Sequence, residues 1–131
     1  YCPAEYLDRL GQEVFDLAVN IDSMQEMSAD VVRKYFDFLR RHLREDNLFY
    51  CCNREEKIMS GGEVSRIMDY PWSKTDRFLV DGPWPWGIYF MSYHKSERGI
   101  KVFGVRVPFV NRFDGDIFNR LAVLETVNEH A

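Results

Sequence analysis

Apolar residues along this chain follow two regimes: short near-continuous runs, and one longer stripe at helical spacing. Val14 to Ile21 (VFDLAVNI) is such a run, the pattern of a strand covered on both faces, as in parallel sheets flanked by helices. From Ser28, a good N-cap, Val32, Tyr35, Phe36, Leu39 and Leu43 recur at helical spacing with Arg33, Lys34, Asp37, Arg40, Arg41 and Arg44 between them. This predicts an amphipathic helix with a solvated basic face. Asp46-Asn47 is expected to end it, and Leu48 to Cys52 (LFYCC) predicts a second buried strand. Strand, helix and strand with short joints make a βαβ unit whose strands lie parallel in one sheet.

The flanks are less regular. Pro3 to Leu10 reads as a short helix with Gly11 as its stop. Asn53 to Gly87 is punctuated by Gly61-Gly62, Pro71, Pro83 and Pro85, with one short helix expected near Glu63 to Met68. Long excursions of this kind are often lids or binding loops. Ile88 to His94 and Ile100 to Phe109 are β-rich runs that predict an antiparallel hairpin. The spacing of Ile117 to Val127 fits a closing helix and a strand equally. No internal repeat interrupts this reading of residues 1–131 as a single, partial domain.

Composition narrows the class. Of 131 residues, 46% are hydrophobic and 15% aromatic, values of a folding chain and not of a disordered one. A net charge of -4 disfavours nucleic acid as a partner. Arg33, Lys34, Arg40, Arg41 and Arg44 share their helix with Asp30 and Asp37, so a solvated face accounts for them better than a polyanion does. No apolar stretch approaches the ~20 residues needed to cross a bilayer, so no membrane partner is expected. The three cysteines include the adjacent pair Cys51-Cys52, which is no disulfide framework, and a reduced cytoplasm is the expected home. The two should face opposite sides of the sheet as packing residues. His42, His94 and His130 are scattered, so no metal site is expected.

The run Asp16-Leu17-Ala18-Val19-Asn20-Ile21-Asp22-Ser23-Met24-Gln25-Glu26-Met27 resembles one found in a sugar O-methyltransferase family that uses S-adenosylmethionine. The likeness continues in register through Tyr35-Phe36, Leu48-Phe49-Tyr50-Cys51-Cys52-Asn53-Arg54, Gly61-Gly62-Glu63 and Tyr70-Pro71-Trp72. It covers about Asp16 to Trp86. The resemblance implies a Rossmann-like class I methyltransferase sheet, of which this chain looks like the carboxyl-terminal part, the fourth to seventh strands with a final antiparallel hairpin. The glycine-rich cofactor turn of such folds follows the first strand, and no comparable strand-Gly-helix signature occurs here. The chain opens at Tyr1 and not at Met, which agrees with an expectation that the cofactor-binding strands lie upstream.

Open α/β sheets place ligands beyond the carboxyl ends of their strands, here the loops Asn20 to Glu26 and Asn53 to Lys57. Methyl transfer to a hydroxyl needs donor and acceptor aligned and a poorly acidic proton removed. Asp22 and Glu26 are the carboxylates best placed for the proton, with His94 a distant second choice. Asn20, Ser23, Gln25, Asn53 and Arg54 are candidates for orienting hydroxyls. The competing account is a simple turn at Asp22-Ser23 with Glu26 solvated. Trp72, Trp84 and Trp86, with Tyr70, offer flat faces to a sugar ring, although plain packing of a long loop suits them as well.

The expected function is therefore a fragment, inactive alone, of an enzyme that moves a methyl group from S-adenosylmethionine to a sugar or glycan hydroxyl. The alternative is a non-catalytic interaction module that uses its aromatic loop. Either way, a half-sheet leaves an open edge, so self-association or pairing with the missing segment is expected.

Overall fold

A computed structural model describes residues 15–85, 101–102, 105–106 and 117–127. Strand β1 (Phe15–Ile21) leads through a 3-10 turn (Met24–Glu26) into helix α1 (Ala29–His42), and β2 (Leu43–Arg54) follows with no intervening residue. A hairpin of β3 (Glu56–Ile58) and β4 (Val64–Arg66) comes next, then a 3-10 turn (Ile67–Asp69) and β5 (Arg77–Pro83). Strands β6 (Lys101–Val102), β7 (Val105–Arg106) and β8 (Ile117–Val123) complete the order. The main sheet runs β1-β2-β8-β5, with β1 and β2 parallel and β8 antiparallel to both of its neighbours. The architecture is mixed α/β, and the expected βαβ unit is present.

The sequence placed the end of α1 too late. Ser28 precedes the helix in an extended conformation, and Val32 N–H reaches its carbonyl at 3.0 Å. At the other end Leu43 turns extended and pairs with Phe15, so the last apolar position of the stripe is the first residue of β2. Between the Phe15–Leu43 and Leu17–Leu48 pairs the register shifts, and β2 takes up the extra residues there. Asn47 steadies this irregular stretch. Fully buried, it donates to the carbonyls of Arg44 (2.7 Å) and Leu124 (2.9 Å) and accepts from Leu124 N–H (2.9 Å). A residue expected to break a helix instead satisfies backbone groups deep in the sheet.

Several other expectations change. In place of a helix near Glu63 to Met68 stand β4 and a single 3-10 turn, because Gly62 (φ +86°) closes a tight turn after Met59 that returns the chain antiparallel to β3. Glu63 carbonyl accepts from Met59 N–H at 2.8 Å to hold that turn. Strand β5 arises inside the stretch read as irregular; its Gly82 and Pro83 obscure the strand pattern, and an edge position tolerates them. Ile117–Val123 resolves as strand. Of the expected hairpin, Ile88 to His94 lies outside the described residues. Within Ile100 to Phe109, β6 and β7 pair with each other, so that run doubles back and is not one strand. The expected helix Pro3 to Leu10 also lies outside the described residues.

The core fills one face of the sheet. Val32, Phe36 and Leu39 of α1 are buried with Phe49, Cys51, Ala122, Leu124, Ile67 and Tyr70. Phe36 meets Phe49 edge to face at 5.6 Å between centroids and Trp72 at 4.9 Å, and burying such a ring stabilises by about 3 kcal/mol. The opposite face is apolar and open. Leu17, Val19 and Ile21 pair across with Leu48, Tyr50 and Cys52, so all six share that face, and Val80 joins through Leu121. Leu17, Val19 and Ile21 are each 57% exposed, where a parallel sheet normally has a covering layer. No described helix is long and apolar enough to cross a membrane.

Candidate functional site

Five of the polar residues singled out from sequence meet where β1 and β2 end. Asp22 leaves β1 with φ +53°, a left-handed conformation that Asp tolerates better than most residues. Its N–H donates to Cys52 carbonyl at 2.9 Å, which folds the Asp22–Ser28 connection back over the end of β2. Asn53 Nδ2 donates to Asn20 Oδ1 at 2.8 Å, and Asn20 Nδ2 donates to Ser23 Oγ. Gln25 Oε1 accepts Arg54 N–H at 2.7 Å. Asn53 is fully enclosed and Gln25 nearly so, so their amides serve to hold the two loops together. Asn20 and Ser23 are half-buried and lie nearer to solvent.

The carboxylates stand outside this knot. Asp22 is exposed, and Glu26, also exposed, pairs with Lys57 from β3. Cys51, beneath Asn53, accepts a 3.1 Å contact from its Nδ2. Burial pushes the Cys51 thiol up to about 12, so it is a packing group and not a nucleophile at neutral pH. Cys52, also raised by burial, lies on the other face, as their adjacency implies.

The tryptophans disperse. Trp72 is part of the core rim: its indole N–H donates to Ile67 carbonyl at 2.8 Å, and the Arg120 guanidinium lies 4.9 Å from its ring. Arg120 also sits 4.2 Å from the Phe78 ring and pairs with Asp81 at 2.8 Å, so this aromatic surface is occupied by the protein's own cation. Trp84 is half-buried beside β8, its backbone amide donating to Ile117 carbonyl at 2.9 Å. Trp86 and His94 lie outside the described residues.

Sequence reasoning missed a cavity of about 460 Å³ next to these loops. Its walls are the start of α1 (Ser28, Ala29, Asp30), the β3–β4 hairpin (Met59, Ser65) and Tyr70. Tyr70 is 8% exposed, and its hydroxyl is enclosed without a hydrogen bond of ordinary geometry. Burial raises its pKa to about 12, tempered by the nearby Ser65 hydroxyl. The only sequence signal was the Tyr70-Pro71-Trp72 triplet, which marks the residue but not what surrounds it. Among the described residues no three His, Cys, Asp or Glu side chains converge as a metal-binding group. Comparison with protein-family models, curated proteins and solved structures finds no match to this chain.

Proposed function

We propose that this chain is the carboxyl-terminal half of an S-adenosylmethionine-dependent enzyme that methylates a sugar hydroxyl, and that it is inactive alone. The observation that carries the reading is the sheet. Taken in chain order, β1, β2, β5 and β8 would stand as the fourth to seventh strands of a Rossmann-like methyltransferase sheet, with β8 antiparallel between β2 and β5. Five polar residues of the resembling segments meeting at the carboxyl ends of β1 and β2 is further support. A half-sheet would leave the edge of β1 unpaired for the segment upstream, and without that segment the edge and the open apolar face beside it favour self-association.

The cofactor would supply the methyl group, but the described residues do not fit it. On this reading the glycine-rich cofactor turn follows a first strand upstream of β1, and the connection from β1 to α1, Asp22 to Ser28, contains no glycine to stand in for it. This chain's part is on the acceptor side. Asp22, exposed and free of the ion pair that engages Glu26, accepts the proton of the sugar hydroxyl, while Asn20 and Ser23 orient that hydroxyl.

Calorimetric titration of S-adenosylmethionine into this chain and into an upstream-extended chain is the test, followed by methyl transfer to sugars with Asp22→Asn. Binding and transfer only by the longer chain, with a loss of at least ~100-fold in Asp22→Asn, support the reading. Tight binding by the 131-residue chain alone overturns the half-sheet division. Binding by neither leaves the interaction module, which the exposed sheet face would then serve in place of the aromatic loop.

A further inference from the structure

We infer that the cavity between the start of α1, the β3–β4 hairpin and Tyr70 is a binding site for a neutral sugar ring. Its volume, about 460 Å³, lies in the range of small-ligand sites. Two independent features lie in its wall. The amides of the first turn of α1 have no intrahelical acceptors, and Ser28 makes no side-chain cap to satisfy one of them. Tyr70, more than nine-tenths buried, keeps a hydroxyl with no hydrogen bond of ordinary geometry beside Ser65, and both residues line the space. A buried hydroxyl whose polar neighbour, Ser65, sits outside ordinary hydrogen-bond geometry is costly, so it marks a place where a better-placed partner fits.

Charge selects the ligand. Arg33 pairs with Asp30 at 2.9 Å, and Arg66 bridges Glu56 at 2.7 Å and Asp69 at 3.8 Å. The two wall cations are thus already paired, and with Asp30, Glu63 and Asp69 against Arg33 and Arg66 the wall keeps a small negative excess that disfavours phosphate or carboxylate. An apolar ligand would strand the polar walls. Sugar hydroxyls donate to carboxylates and accept from amides and from Tyr70, while the C–H face of the ring fits Met27 and Met59. Met27 and Ser28 carry the cavity wall on from the connection that holds Asp22 and Ser23, and the inference rests on the proposed function only for calling the sugar an acceptor.

The experiment is a titration of the isotopically labelled full chain with methyl glycosides of several common hexoses, followed by amide NMR and repeated on Tyr70→Phe and on Ser65→Leu, which fills the cavity. Saturable shifts at Ala29 to Val31 and Ser65 are expected, weakened about fivefold or more in Tyr70→Phe, the loss of one hydrogen bond. Tyr70→Phe should melt no lower than the parent, which separates lost binding from lost fold. Shifts elsewhere, unchanged affinity in both variants, no saturable shift with any glycoside, or preferential binding of inorganic phosphate at the same amides would each overturn the site. The readout needs neither cofactor nor transfer: glycoside binding here without methylation by any longer chain would sink the enzyme reading alone. Methylation whose acceptor KM ignores both variants would sink this site alone.

Discussion

Removing the Asp76 carboxylate should cost this fold about 3–5 kcal/mol, the penalty for breaking one side of a buried ion pair. The side chain of Asp76 is fully enclosed and that of Arg40 is 13% exposed. Arg40 Nη1 and Nη2 each donate to Asp76 at 2.8 Å, and the amides of Ser73 (2.7 Å) and Glu125 (2.9 Å) donate to the same carboxylate. Arg40 also donates to the carbonyls of Pro71 (3.1 Å) and Glu125 (2.9 Å). One ion pair thereby ties α1 to the loop before β5 and to the segment after β8. Asp76→Ala would leave a guanidinium half satisfied and two amides without an acceptor. Such a loss is a large part of the ~5–15 kcal/mol that keeps a typical domain folded. Urea unfolding followed by tryptophan fluorescence reads it as a lower midpoint at unchanged slope. An Arg40→Met, Asp76→Leu double variant should recover only the part of the loss that comes from the stranded guanidinium, because the amides of Ser73 and Glu125 stay without an acceptor. Asp76→Ala losing under about 1 kcal/mol would refute the reasoning, since that is the scale of an exposed pair.

The same pair fixes the sign of a pH effect. Burial alone would raise the Asp76 pKa, but the hydrogen bond from Arg40, the amides of Glu125 and Ser73 and the Arg40 charge outweigh it and hold the carboxyl below its ordinary value. A folded pKa below the unfolded one gives stability that is present above about pH 4 and lost as pH falls through the folded value. The gap in stability between parent and Asp76→Ala should therefore narrow in acid; a gap that is constant between neutral pH and the acid limit would count against the assignment.

Two further outcomes follow from burial and exposure. Cys51, fully enclosed and with its thiol pushed up by burial, should resist iodoacetamide at mildly alkaline pH at least ~100-fold better than in urea, as read by mass spectrometry; equal rates would mean that β2 opens readily. Leu17→Lys with Val19→Lys, at positions each 57% exposed, should leave stability within about 0.5 kcal/mol but abolish the concentration-dependent association expected of the parent in sedimentation, and a strictly monomeric parent would remove the basis for calling that face adhesive.

What could be read along the chain was what depends on neighbours in sequence. The Phe36 and Leu39 stripe marks α1, and the apolar runs mark β1 and the buried half of β2, because helical and extended periodicities are local properties. The polar cluster at the strand ends was legible for the same reason: Asn20, Ser23, Gln25 and Asn53 follow apolar runs, and the end of a strand is where such a sheet exposes them. Arg40 looked like its neighbours Arg33 and Arg41 on a solvated face, and only the arrival of Asp76 from 36 residues away made it a buried anchor.

Likewise Asn47 looked like a helix breaker until Leu124 supplied its partners, and Trp72 looked like an offered surface until Phe36 and Arg120 enclosed it. Strand β8 had no decisive period of its own; its place between β2 and β5 is set by hydrogen bonds to strands far away in sequence. The Tyr70-Pro71-Trp72 triplet marks one wall of the cavity but not the space itself, which is left where α1, a glycine-turned hairpin and a 3-10 turn fail to close. Local chemistry determined which segments are helix or strand and which residues sit at their ends, whereas long-range packing decided which polar groups are satisfied by the protein and which still face an empty space.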